Sequence, residues 1–151
     1  MRETIGYMLT WTTYGSWLQG DERGYVKNGQ VLPGDENLLA ANAAVLAKAP
    51  VKLSADQRKV IEQAILKKAE HLGQKVYAAA ICSNHVHLVT SYVPIPVGTV
   101  VRYYKNASLV ALRQTGFAGR VWTKGFDKRY CFDEKSLRTR IDYVNAHNRN
   151  T

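Results

Sequence analysis

Two runs with strand character, Lys75–Ile81 and His85–Ser91, are joined only by the short link around Ser83-Asn84. A link that short suits a hairpin, so the middle of the chain reads as two neighbouring antiparallel strands. The flanks narrow the fold further. Upstream, Ser54 and Gln57 make a capping box for a helix over 55–72, with Ile61, Ala64, Ile65 and Leu72 as its apolar stripe and Gly73 as its stop. Downstream of Pro94 and Pro96, a helix spans 99–114 with Val101, Tyr104, Leu109 and Leu112 inward. Near the start, Tyr7, Leu9 and Trp11 alternate with Met8, Thr10 and Thr12, which predicts a strand over 6–14 with one buried face. Residues 15–35 carry five glycines and Pro33 and read as a long loop, followed by an alanine-rich helix over 36–48 capped by Asp35. Short extended pieces at 120–123 and 130–132, then a helix over 134–148 capped by Asp133, complete the pattern.

Without the insertion after the first strand, this order is β-α-β-β-α-β, the split unit of a ferredoxin-like (RRM-like) α+β sandwich, with a last helix that carries a tyrosine. Helices cover one sheet face in such a fold and leave the other free to hold a site. A length of 151 residues predicts one domain, 1–151. No apolar run of about 18 residues is present, so no membrane span is expected. The N-terminal stretch lacks the apolar region of a signal peptide, and two isolated cysteines, Cys82 and Cys131, suit a reducing cytoplasm.

The formal charge is +9, and it is uneven. Residues 1–50 hold 4 Lys/Arg against 5 Asp/Glu, residues 51–100 hold 6 against 3, and residues 101–151 hold 11 against 4. A positive field concentrated in the last third is the footprint of a phosphate-rich partner, although it also serves plain solubility.

The sharpest local signal is Asn84-His85-Val86-His87-Leu88-Val89. Residues i and i+2 of a strand share a face, so His85 and His87 project together while Val86 and Leu88 point into the core. With a rise of roughly 3.3 Å per residue, the two imidazoles start about 6–7 Å apart and can converge on one metal ion at about 2.1 Å. The same pair would also sit idle on a half-exposed strand. The last helix offers a third donor: Tyr143 and His147, four positions apart, stack on one helical face, with Arg140 a turn earlier. Leu137, Ile141 and Val144 form that helix's packing stripe. Read without context, Tyr143 also suits the edge of the packing stripe, and His147 an exposed end.

Ser83-Asn84-His85-Val86-His87-Leu88-Val89 resembles the paired-histidine motif of the HUH endonucleases. The surroundings resemble one branch, the REP-associated tyrosine transposases and their insertion-sequence relatives. Matching features are the opening Thr10–Leu18, the helix segment with Lys105 and Ser108, Val121-Trp122-Thr123-Lys124-Gly125, and the closing Leu137–Asn148. The resemblance implies that His85 and His87 bind the metal and that Tyr143 is the nucleophile. It also places His147 at a third-ligand position more often filled by Asn or Gln in relatives. It implies a cofactor of Mg²⁺ or Mn²⁺, and three imidazoles shift the preference toward manganese, since magnesium favours oxygen donors.

A divalent ion stabilises charge on a phosphate undergoing attack. A tyrosine, with an ordinary pKa of about 10, is a weak nucleophile at neutral pH, and a metal's field together with Arg140 would favour the phenolate. In the family's chemistry the attack yields a 5′-phosphotyrosine and a free 3′-OH, and the retained bond energy allows rejoining without ATP. The implied substrate is single-stranded DNA folded into a hairpin, bound by a monomer or homodimer, with no membrane partner. Candidate DNA contacts are Trp11, Trp17 and Trp122, with Tyr103, for stacking, and Arg102, Lys105, Lys124, Lys128, Arg129, Arg138 and Arg140 for phosphates. The alternatives are a non-catalytic single-strand-binding domain of RRM-like fold, a host-domesticated relative, and a histidine phosphoesterase. The first has no use for two same-face histidines plus a helix tyrosine, and the last needs a second histidine motif.

Overall fold

The structure is a computed structural model that describes residues 3–16 and 51–149. The expected helix over 36–48, Trp17 and nearly all of the glycine-rich loop lie outside the described residues. Within them the order is β1 (Gly6–Thr12), α1 (Ala55–Leu72), β2 (Val76–Ile81), β3 (His85–Ser91), α2 (Val97–Gln114), β4 (Asp127–Cys131) and α3 (Glu134–Arg149). The four strands form one antiparallel sheet in the order β2-β3-β1-β4. Element order and strand order together give the expected α+β arrangement.

Local chemistry sets the element ends. The Ser54 hydroxyl accepts from the Gln57 backbone N–H while Gln57 Oε1 accepts from the Ser54 N–H, so the capping box starts α1 where the sequence placed it. Gly73, at φ 69°, ends it in the left-handed region, and the next N–H reaches back to the Ala69 carbonyl. Helix α2 begins two residues earlier than expected. The Pro96 carbonyl takes the N–H groups of Thr99 and Val100, and Gly98 is accommodated in the first turn beside the Phe126 ring.

The last strand departs from the sequence reading. Residues 127–131 pair with β1, while the 120–123 piece contributes only a single bridge, Thr13 to Trp122. Gly119 and Gly125, at φ 95° and 97°, bend the chain on either side of that piece and separate it from the ladder.

Tyr7, Leu9, Trp11, Val86, Leu88 and Ile81 form the main core with Ile61, Ile65 and Ala69 of α1 and Val100, Val101, Tyr104 and Leu112 of α2. The sequence pattern leaves the opposite sheet face free, but in the structure α3 partly roofs it. Val144 is buried there against Met8, Ala78, Ala80, Cys82 and Val89, with Leu137 and Ile141 beside it. The short side chains of β2 let the helix approach closely. Strand β1 is consequently buried on both faces rather than one. Burying one such apolar side chain contributes about 1.5–3 kcal/mol, so α3 is held by a narrow contact.

Candidate active site

Strand parity turns His85 and His87 toward the face that α3 covers, and α3 brings His147 and Tyr143 to meet them. The imidazole centroids lie 4.7 Å apart for His85–His87, 4.7 Å for His87–His147 and 5.9 Å for His85–His147. The Tyr143 ring lies 5.7 Å from His87 and 4.6 Å from His147. One possible ligand atom from each of the three histidines falls within 4.8 Å of the others. Nitrogens bound tetrahedrally to one ion at about 2.1 Å stand about 3.4 Å apart, so side-chain movements of about an ångström would close the set on a divalent cation.

Hydrogen bonds aim the rings. His85 Nδ1 lies 2.7 Å from Asn84 Oδ1, a carbonyl oxygen that can only accept, so Nδ1 carries the proton and Nε2 keeps its lone pair. His87 Nδ1 lies 2.8 Å from Thr10 Oγ1, and donation from Nδ1 to that hydroxyl presents Nε2 in the same way. Burial lowers the His87 pKa to about 3, helped by the charges His85 and His147 would carry; burial followed by His147 lowers that of His85. Neutral imidazole is the form that binds a metal, so the donor set fits a divalent ion. His87 is buried, whereas the Tyr143 ring is 46% exposed and open to a strand arriving from solvent.

The other candidates drawn from the sequence scatter, and Trp11 is ruled out as a stacking platform. It is fully buried on the same core face as Tyr7 and Leu9, where no base can reach it. Trp122 packs edge-on against Trp11 at 6.0 Å, donates its indole N–H to Ser108 and is itself buried. Lys105 donates to the carbonyls of Thr123 and Gly125 and so ties α2 to the chain ahead of β4; burial, then the Arg120 charge, lowers its pKa. Arg140 stands near the buried Cys131 thiol, lowering a pKa that burial raises. Arg129 forms a 3.2 Å ion pair with Asp127 on the histidine side of the sheet edge, while Lys128 lies over the Tyr130 ring on the other side. Lys68 lies over the Tyr103 ring. Arg102, Lys124 and Arg138 are exposed, the last roughly 140° around α3 from Tyr143.

Sequence reasoning missed Thr10 and Asn84 as partners of the histidines. Asn84 is adjacent to His85 and could have been noticed. Thr10 needed the β1–β3 register, which pairs it directly with His87.

No curated protein matches the chain. Among solved structures, it is similar to a REP-associated tyrosine transposase bound to a REP hairpin, at 14% identity and a TM-score of 0.56, covering 95% of this chain and 67% of that one. It also aligns with a Deinococcus radiodurans protein assigned as a transposase, at 15% identity and a TM-score of 0.47, over 97% of this chain and 93% of that one. Residues 45–147 match the family described as Transposase IS200 like. That match runs over more than half of the chain and takes in the paired histidines and the helix tyrosine, and it makes this chain a member of the IS200-like transposase family.

Proposed function

We propose that the chain nicks and rejoins single-stranded DNA through a covalent bond to Tyr143. The observation that carries this reading is the half-exposed phenol beside three clustered imidazoles of the same chain. The Tyr143 oxygen attacks the scissile phosphorus, forming one P–O bond as the bond to the 3′ oxygen breaks. The phenol gives up its proton and the departing 3′ oxygen takes one up. The product is a 5′-phosphotyrosine and a free 3′-OH, and attack by a second 3′-OH reverses the step on a new strand. His85, His87 and His147 would hold Mg²⁺ or Mn²⁺, which when bound supplies Lewis-acid polarisation of the phosphate. His87 keeps its donor nitrogen neutral and available, Asn84 and Thr10 orient the rings, and α3 carries the nucleophile to its own chain's histidines.

The structurally similar transposase was solved on a REP hairpin, which supports a hairpin-bearing single strand as the substrate class. Exposed Arg102, Lys124 and Arg138, with Lys128 and Arg129 at the sheet edge, supply charge for its phosphates. The whole chain, 1–151, acts as one such domain, in the cytoplasm and associated with nucleoid DNA. No described helix is long and apolar enough to cross a membrane.

A covalent-adduct assay tests the reading. Wild type mixed with labelled hairpin DNA and Mn²⁺ is expected to give a product that survives SDS, and Tyr143→Phe to give none. His85→Ala is expected to lose metal binding and cleavage together. Equal behaviour of wild type and Tyr143→Phe would leave a non-catalytic binding domain as the better reading.

A further inference from the structure

Tyr143 and the three histidines account for the attacking oxygen and the phosphate, but not for the 3′ oxygen that departs. In-line displacement puts the entering and leaving oxygens on opposite sides of the phosphorus. The strand order β2-β3-β1-β4 fixes which side is which. Helix α3 packs chiefly over β2 and β3, so Tyr143 meets the histidines from that half of the sheet. A phosphate at the cluster then has its leaving oxygen turned toward β1 and β4.

Two charged side chains of β4 stand on that half, on the histidine face. Asp127 is the cross-strand partner of Thr10, and Thr10 is that of His87. The three residues therefore form one row across the sheet, with the backbones of Asp127 and His87 roughly 10 Å apart. Arg129 belongs to the neighbouring row, opposite Met8. Its Nε donates to Asp127 Oδ2 at 3.2 Å, which draws the guanidinium back along the strand toward the His87 row. Because the bond engages Nε, both terminal amino groups remain to donate to a ligand. The two side chains are 59% and 41% exposed, and an ion pair in water adds little stability, so its main effect is to orient the guanidinium.

We propose that Arg129 is a catalytic residue that stabilises the departing 3′ oxygen, and that Asp127 is the positioning residue that aims it. As the bond from phosphorus to the 3′ oxygen breaks, its electron pair stays on that oxygen, and a guanidinium donates to the growing charge without losing its own proton. Water supplies the proton of the resulting 3′-OH. In rejoining, that proton returns to water as the 3′ oxygen attacks phosphorus and the Tyr143 oxygen leaves with its electron pair.

The role rests on the Tyr143 reading, and the experiment separates the two. Adduct formation is followed in single turnovers with Mn²⁺ and saturating protein. Hairpin DNA with an ordinary scissile phosphate is compared with the same DNA carrying a 3′-bridging sulfur. The sulfur leaves with far less help, since a thiol ordinarily ionises at a pH of about 8.5. Arg129→Gln is expected to slow the oxygen substrate about 100-fold, the loss typical of one oxyanion donor. The same variant is expected to slow the sulfur substrate less than about 5-fold. Asp127→Asn is expected to slow the oxygen substrate about 10-fold, since the fork keeps its charge but loses its aim, and to be rescued by sulfur in the same way. Equal slowing of both substrates, whether from misfolding or from misplaced DNA, overturns the role. So does an Arg129→Gln rate on the oxygen substrate within about 2-fold of wild type. Wild-type adducts without sulfur-specific rescue of the variants leave the nuclease reading standing and remove this role alone. A wild type that forms no adduct on either substrate removes both.

Discussion

The least conspicuous side chains of the centre are those that set which imidazole nitrogen faces it. Asn84 Oδ1 can only accept, so it holds the proton of His85 on Nδ1. Replacing such a partner of a metal-binding histidine costs about 10–100-fold in metal affinity. Asn84→Ala is therefore expected to weaken Mn²⁺ binding, measured by titration calorimetry, by that factor, while Asn84→Asp retains most of it. An Asn84→Ala protein with wild-type affinity would show that the contact does not orient the ring. The spacing of His85 and His87 was legible in the sequence because a strand's two-residue period depends on neighbours alone. The contribution of Thr10 was not, because it lies 77 residues from His87 and only the assembled register brings them together. Trp11 shows the opposite error. The alternation that grouped it with Tyr7 and Leu9 already assigned it to the core, and its size alone suggested a stacking platform.

At the level of elements, helix boundaries followed from caps and stops, and α1 ran between Ser54 and Gly73 as its sequence implied. The last helix was expected beside the paired histidines, as the source of their third donor, and it lies there. Less legible was what holds it in place: the stripe of Leu137, Ile141 and Val144 identified a packing side, but not that the small Ala78 and Ala80 of β2 would receive it. Gly6 belongs to the same fit. A Cβ there would lie 2.5 Å from the Thr90 carbonyl oxygen and 3.0 Å from Leu137 Cδ1, and the first obstacle is backbone that cannot swing aside. Gly6→Ala is expected to destabilise the protein by about 1–3 kcal/mol, as overpacking does. In a thermal melt this appears as a loss of about 2–4 °C for each kcal/mol. An unchanged melting temperature would mean that β1, β3 and the start of α3 are less closely fitted than the structure has them.

Over the whole molecule, the paired histidines of β3 tie stability to pH. His87 titrates near pH 3 when folded and in the usual range near 6.5 when unfolded, and His85 is displaced in the same direction. The unfolded chain therefore takes up protons first. The stability is fully present above about pH 6.5 and is lost progressively as the pH falls toward 3. Melts of the metal-free protein between pH 7.5 and 4.5 are expected to show a falling midpoint, with a shallower fall for His87→Gln; equal slopes would place the acid sensitivity elsewhere. The field of the molecule comes mainly from the last third of the chain, and the two sides of the sheet differ, with the larger core on one and the histidine cluster on the other. The third imidazole belongs to a helix attached by little apolar surface, whereas its two companions belong to the sheet. An ion shared among them would act as a removable rivet between α3 and the sheet, so that the ion supply would govern how firmly the helix that carries Tyr143 stays seated.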